Sequence, residues 1–414
     1  MRNTIFHNSG VKGNQLLLVS FLILIVLNYF GNYILYSSII VIPIWALWIA
    51  YVLGGKFHLS KNEGIFIKSS IAFLLIVFVY RLIGYSSIET LGLIGILNWI
   101  MSGVVAIYAM KVFSGRDLST IYIVMIISLF LLMLLFAREG STILRAGDES
   151  EAVEVADAWY GSLFVLLSGL SLIVFLHVKR LFPRILSILI IVITTYINIF
   201  ILQRGTNVIM TIVEIGMILL FLIKRKSVVI SISIILVGFL FFAFSSENLI
   251  VILDWLAEIS PSDRVSDRFS QISMAIVYED MTVSQGSLAG RGELMTLSWN
   301  TFTSSFNHIL FGAGEHAGDN TIIGHHSFIL DTLACYGLVG GSLLFIYFKK
   351  QYQILMSYLD RDKEWTLYMQ CAIVFLFYVF RNFYGQVAYA LVNLVLLLFF
   401  PLTYKLINYY KNSN

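Results

Sequence analysis

The sequence predicts an all-α protein, a polytopic bundle of transmembrane helices with one large helical extracytoplasmic loop. Three observations carry this. Of the 414 residues, 59% are hydrophobic and only 12% are charged, with a mean hydropathy of +0.87. One water-soluble core cannot hide that much apolar surface. The apolar residues also come in long blocks, among them 185–202 and 208–223, close to the roughly 17–25 residues that cross a bilayer. Finally, the blocks do not alternate polar with apolar, as barrel strands would. In lipid they are therefore helices, which satisfy their own backbone polar groups.

About a dozen spans are expected, at 14–31, 33–53, 64–83, 91–112, 118–136, 159–177, 185–203, 207–223, 228–245, 325–348, 365–380 and 386–407. Arg2 and Lys12 precede the first apolar run as in a signal peptide, but no small-residue cleavage site follows, so this run is taken as an uncleaved first span. The chain then divides into spans 1–9 (1–245), the extracytoplasmic loop (246–324) and spans 10–12 (325–414).

Charge sets the orientation. One set of loops holds every Lys, including Lys56, Lys61, Lys111, Lys179, Lys224 and Lys350. The other holds Arg81, Arg138, Arg145, Arg204, Arg264, Arg268, Arg291 and Arg381 and no Lys at all. By the positive-inside rule the Lys-bearing loops and both termini are cytoplasmic. Either cation satisfies that rule, so an outer face with Arg alone needs another reason. Arg offers a planar fork that grips phosphate or carboxylate with two hydrogen bonds and keeps its charge. Anion binding on the outside is one reading; pairing with the many outer acids is the other.

Two outer loops are long. Residues 137–158 carry Asp148, Glu149, Glu151, Glu154 and Asp157 and read as a solvated acidic loop. Residues 246–324 are too long to be structureless. Apolar residues recur there at helical spacing, at Leu249–Ile259, at Val265–Ile276 and at Leu294–Ile309, the last stretch following Gly290-Arg291-Gly292. These are expected to be amphipathic helices lying against the membrane over the bundle, roofing a cavity that opens outward. Gly312-Ala313-Gly314 lacks the spacing and preceding strand of a dinucleotide site and reads as a turn into the next span. Asp360-Arg361-Asp362 resembles a sugar-transferase Asp-x-Asp, but it sits in a short cytoplasmic loop with no domain around it and reads as a solvated charge run. Cys335 and Cys371 fall inside apolar runs and read as small hydrophobes rather than a disulfide. No basic run with interleaved aromatics suggests nucleic acid.

The most informative stretch begins at His325-His326 and runs through Asp331 to Tyr336-Gly337-Leu338-Val339-Gly340. A histidine at the outer mouth of a late span, followed by an apolar run ending in Tyr-Gly-Leu-x-Gly, resembles the O-antigen polymerase and O-antigen ligase family. Two further features agree in order. Gln203-Arg204-Gly205 is similar to the family's Ser-Arg-Gly at the outer end of a span. Gly290-Arg291, Trp299 and Phe311-Gly312-Ala313-Gly314 resemble its Gly-Arg…Trp…Phe-Gly-x-Gly loop. The resemblance covers residues 185–345 by motif, and beyond them extends only to general architecture.

The resemblance implies a metal-independent membrane glycosyltransferase without cofactors. Its donor would be an undecaprenyl-pyrophosphate-linked oligosaccharide, and its product polysaccharide such as O-antigen or capsule. The site would face outward from the cytoplasmic membrane, with a chain-length regulator and a flippase as possible partners. Arg204 and Arg291 would hold the pyrophosphate and His326 would act as general base. Counting back from Tyr336-Gly337 matches His326 to the family histidine, with His325 the second choice. Glu214 and Asp331 are acids within spans, and such acids default to functional candidates. Either would orient the histidine or an arginine, or simply pair with a polar neighbour. Arg81 and Arg381 lie at outer span ends and are candidates for substrate contact, Arg381 the stronger. Thr194 and Asn198, earlier in the span that ends near Arg204, are weaker candidates to line the same cavity. The alternatives are a ligase that transfers finished glycan to another acceptor, and a lipid-linked oligosaccharide flippase.

Overall fold

The computed structural model describes residues 11–30, 37–54, 59–83, 90–113, 151–179, 181–197, 205–223, 287–314, 323, 327–359, 361–362, 364–382, 395–401, 403–404 and 407, with single positions between 117 and 135 and between 251 and 274. The expected span at 228–245 lies outside the described residues. Among the described residues every regular element is a helix and no strand occurs.

The α-helices are α1 (Val11–Tyr29), α2 (Ser37–Gly54), α3 (Lys61–Leu82), α4 (Thr90–Val112), α5 (Glu151–His177), α6 (Leu181–Tyr196), α7 (Gly205–Leu220), α8 (Ser287–Thr303), α9 (Phe306–Phe311), α10 (Phe328–Met356) and α11 (Trp365–Arg381), followed by a π-helical turn at Val395–Phe399. Two of them, α3 and α10, are both long and apolar enough to cross a membrane. At 1.5 Å per residue they measure about 33 and 43 Å, against a hydrocarbon core of about 30 Å. Shorter apolar stretches run through α1, α2, α4, α5, α6, α7 and α11.

Packing forms two groups. In the first, α2 packs on α1 and α4, while α3 packs on α4 and, most extensively, on α10. In the second, α5, α6, α7 and α11 pack together. The pair α10–α11 joins the groups, and α8 and α9 lie on α10. Large apolar side chains also cover the outward faces: Leu75, Phe78, Val192, Phe345 and Leu376 are all exposed. Apolar exposure on this scale marks a surface made for an apolar neighbour.

One end of the bundle is tied by side chains. Ser60 and Glu63 form a reciprocal capping box at the start of α3. The same Glu63 carboxylate accepts a 2.7 Å hydrogen bond from Lys111 at the end of α4. Lys350 near the end of α10 donates to Asn62. Burial, and the Glu63 carboxylate beside it, push the Tyr358 hydroxyl up to about 12. Nearby in the second group, His177 of α5 bonds Gln370 of α11 at 2.7 Å, and Gln370 donates to the Ile218 carbonyl of α7. All of these helix ends are ones the charge pattern assigns to the cytoplasm. α3 and α10 therefore run antiparallel, with Phe66 against Tyr347 and Phe73 against Tyr336.

Several boundaries differ from the sequence expectation. α5 begins at Glu151, so the last third of the acidic stretch is helix rather than loop. The apolar span simply continues back through it, since Glu and Ala are good helix formers. Gly290-Arg291-Gly292 does not precede a helix but lies within α8, and the expected single helix over 294–309 breaks at Ser304-Ser305. Ser305 there caps α9 by accepting from the His308 amide. α10 starts at Phe328, three residues late, with Ser327 as its cap.

Candidate functional site

The end opposite the lysines is assembled around a break in α10. Gly337 has φ 61° and ψ −160°, a conformation outside the helical region and open in practice to glycine. In a continuous helix the carbonyls of Ala334 and Cys335 would accept from the amides four residues on. Here they accept instead from the amides of Ala313 and Gly314, at 2.8 and 3.0 Å. Gly312 also has positive φ, at 79°, and ends α9. A Cβ on Gly312 would meet the Cys335 backbone at 2.3 Å, and one on Gly337 would meet the Leu310 backbone at 2.5 Å. The glycines of two segments separate in sequence are thus the two halves of one close backbone approach. Tyr80, near the end of α3, donates its hydroxyl to the Phe311 carbonyl and stacks edge-on against Tyr336.

Asp331 forms the second link. Its carboxylate accepts from Ser298 Oγ at 2.6 Å and from the Ser327 amide at 3.0 Å. Ser298 is fully buried and belongs to α8, where it follows Arg291 by seven residues, or two turns on the same helical stripe. Ser327 is the residue after His326. Asp331 therefore ties the helix of Arg291 to the start of the helix that follows the histidines. Such charge-assisted bonds are roughly twice as strong as neutral ones.

The expected residues fall into three groups. Arg81, half-buried, adjoins Tyr80 at this end of α3. Asp331 is here too, as are α8, which carries Arg291, and the α11 terminus, which carries Arg381; for these two arginines only the backbone is described. Arg204, His325 and His326 lie outside the described residues. Glu214 stands apart from the brace. It is fully buried midway along α7, and its carboxyl lies where a Cβ on Gly169 of α5 would stand, with Val374 of α11 alongside. Neither carboxyl oxygen has a hydrogen-bond partner among the described residues. Just outside that notch Ser168 and Thr194 bond each other at 2.8 Å, so Thr194, expected to line a cavity, is instead buried between α5 and α6. Tyr80, Ser298, Ser327 and Gly169 escaped the sequence reading; only Ser298 left a trace, in its two-turn spacing from Arg291.

Among the described residues no group of three His, Cys, Asp or Glu side chains is disposed to hold a metal ion. No family model matches the chain, and no curated protein is significantly similar to it.

Proposed function

We propose that the chain is a multi-pass enzyme of the cytoplasmic membrane, a polysaccharide polymerase of the O-antigen type. It would transfer a glycan from undecaprenyl pyrophosphate to a hydroxyl of a lipid-linked repeat unit on the outer face. The observation that carries this reading is the closure of Phe311-Gly312-Ala313-Gly314 on Ala334-Cys335-Tyr336-Gly337. Two motifs that resemble the polymerase and ligase family only as separate strings meet as one element. That element, with Asp331, holds the helix of Arg291 against the start of α10, the helix that follows the histidines in sequence.

The chemistry needs three things. The donor already carries a good leaving group, so the protein must hold the pyrophosphate, oppose the charge that grows on it, and take a proton from the acceptor. Arg204 and Arg291 serve the first two needs as preorganised cations. His326 serves the third, as general base. The acceptor oxygen bonds the anomeric carbon as the bond to pyrophosphate breaks, the electron pair leaves with undecaprenyl pyrophosphate, and the proton goes to His326. Asp331 acts as a positioning residue. Arg81 and Arg381 add positive charge at the same end.

The test uses purified protein and one synthetic lipid-pyrophosphate repeat unit. A ladder of repeat lengths is expected from the native chain, and none from Arg291→Ala or His326→Ala. No ladder from folded native protein given its own repeat unit overturns the polymerase and leaves the ligase next. One observation favours a transporter of lipid-linked oligosaccharide instead. Glu214, a buried acid without a described partner, is the kind of group that membrane carriers use for coupling.

A further inference from the structure

The hairpin α8–α9 is built unlike a water-facing loop. No Asp, Glu, Lys or Arg occurs between Glu293 and Glu315. Its outward side nevertheless shows large aromatics: Phe306 is 73% exposed, Phe311 55% and Trp299 48%. Polar Thr296, Asn300, Thr303 and Asn307 are exposed between them, and the buried side takes Ser298, Thr301 and Phe302. No residue of α9 is buried, although the helix packs on α10.

Depth adds a second argument. The brace meets α10 at Gly337, nine residues past its start at Phe328, which is roughly 13 Å along the axis. The apolar band continues around it, through Val79 and Leu82 at the end of α3 and through Leu338 and Val339 of α10, all exposed. Irregular backbone at such a depth is tolerated only where protein satisfies it. Here the amides of Gly312, Ala313 and Gly314 all donate, and the Phe311 carbonyl accepts from Tyr80.

We infer that α8–α9 is a re-entrant hairpin seated in the outer leaflet of the bilayer, with Trp299, Phe306 and Phe311 against lipid at the boundary of acyl chains and headgroups. The uncharged stretch from Leu294 to Gly314, with Trp and Phe outward, suits that boundary. The hairpin is thus a wall of the bundle facing lipid rather than a roof facing water. This rests on residence in the bilayer and not on the transferase chemistry.

The test is collision of a nitroxide label with oxygen and with a nickel chelate. Phe306→Cys and Trp299→Cys chains are labelled in proteoliposomes of phosphatidylethanolamine and phosphatidylglycerol, with Leu75→Cys, mid-span on the exposed face of α3, as reference. Both hairpin labels are expected to meet oxygen several-fold more often than the chelate, approaching the reference. Ready access of the chelate to positions 299 and 306, with position 75 still shielded, overturns the inference while residence in the membrane stands. Protection from both quenchers overturns it in favour of a protein partner or a second copy of the chain. Chelate access at position 75 as well defeats the membrane reading itself.

Discussion

The two ends of the bundle are held by different means. At the lysine-rich end, side chain meets side chain: Glu63 with Lys111, Lys350 with Asn62, His177 with Gln370. At the arginine end, side-chain bonds from Ser298 to Asp331 and from Tyr80 to Phe311 are joined by backbone meeting backbone, where Gly312 and Gly337 let α9 and α10 touch and Ala313 and Gly314 fill the carbonyls that a broken helix leaves open. Side-chain pairs tolerate small movements, because long side chains re-aim. A backbone brace between two positive-φ glycines does not. The end with the fixed geometry is the end that holds Arg81, Asp331 and the helix of Arg291, as expected of a site that must hold reacting groups to a fraction of an ångström.

Substitutions can break or sharpen this contrast, and their expected effects on polymer formation fall in order. Gly312→Ala is the most damaging. Its Cβ has no room against the Cys335 backbone of α10, and its φ of 79° is strained for alanine. It should cost about 3 kcal/mol or more and abolish the ladder, with the loss of stability read from thermal unfolding in detergent. Arg291→Ala and His326→Ala come next, lowering the rate by about 100- to 1,000-fold with the unfolding temperature unchanged; a parallel fall in stability would make them structural. Asp331→Asn weakens the bonds to Ser298 and Ser327, and about a tenfold loss of rate is expected. A Ser298→Ala chain should show a similar loss, and full activity in both would sever Asp331 from the site.

Lys111→Met strikes the other end. It leaves the Glu63 carboxylate, of which little is exposed, without its cation, and should lower stability by about 2 kcal/mol. Activity per folded molecule should not change, and adding Glu63→Gln should restore part of the loss. An activity defect in Lys111→Met would erase the distinction between the ends. The smallest effect is expected from Glu214→Gln, which keeps shape and burial. Ladder length and rate should match the native chain, whereas loss of function in a lipid-oligosaccharide transport assay would favour the carrier reading.

Much of the fold was legible in the sequence. Helices were expected at every apolar block that the structure describes, and the charge pattern paired the ends that Lys350–Asn62 and Glu63–Lys111 join. The site was legible only as separate strings. Gly312-Ala313-Gly314 read as a turn, because no periodicity announces that a loop will supply hydrogen bonds to a helix broken at Gly337. Gly290-Arg291-Gly292 read as the stretch before a helix because the apolar periodicity begins only at Leu294, yet it lies within α8, which packs on α10. Asp331 was expected either to orient a site residue or to pair with a polar neighbour, and its bonds to Ser298 and Ser327 do the second in a way that serves the first.

By itself the sequence determined where the chain is helical and which helix ends share a side, because hydrophobicity and charge are local sums over neighbouring residues. Tertiary structure alone decided that Gly312 meets Gly337, that Asp331 takes Ser298, and that Glu214 lies in the notch at Gly169. Those contacts join segments through shape and unfilled hydrogen bonds, and neither quantity exists until the helices have packed.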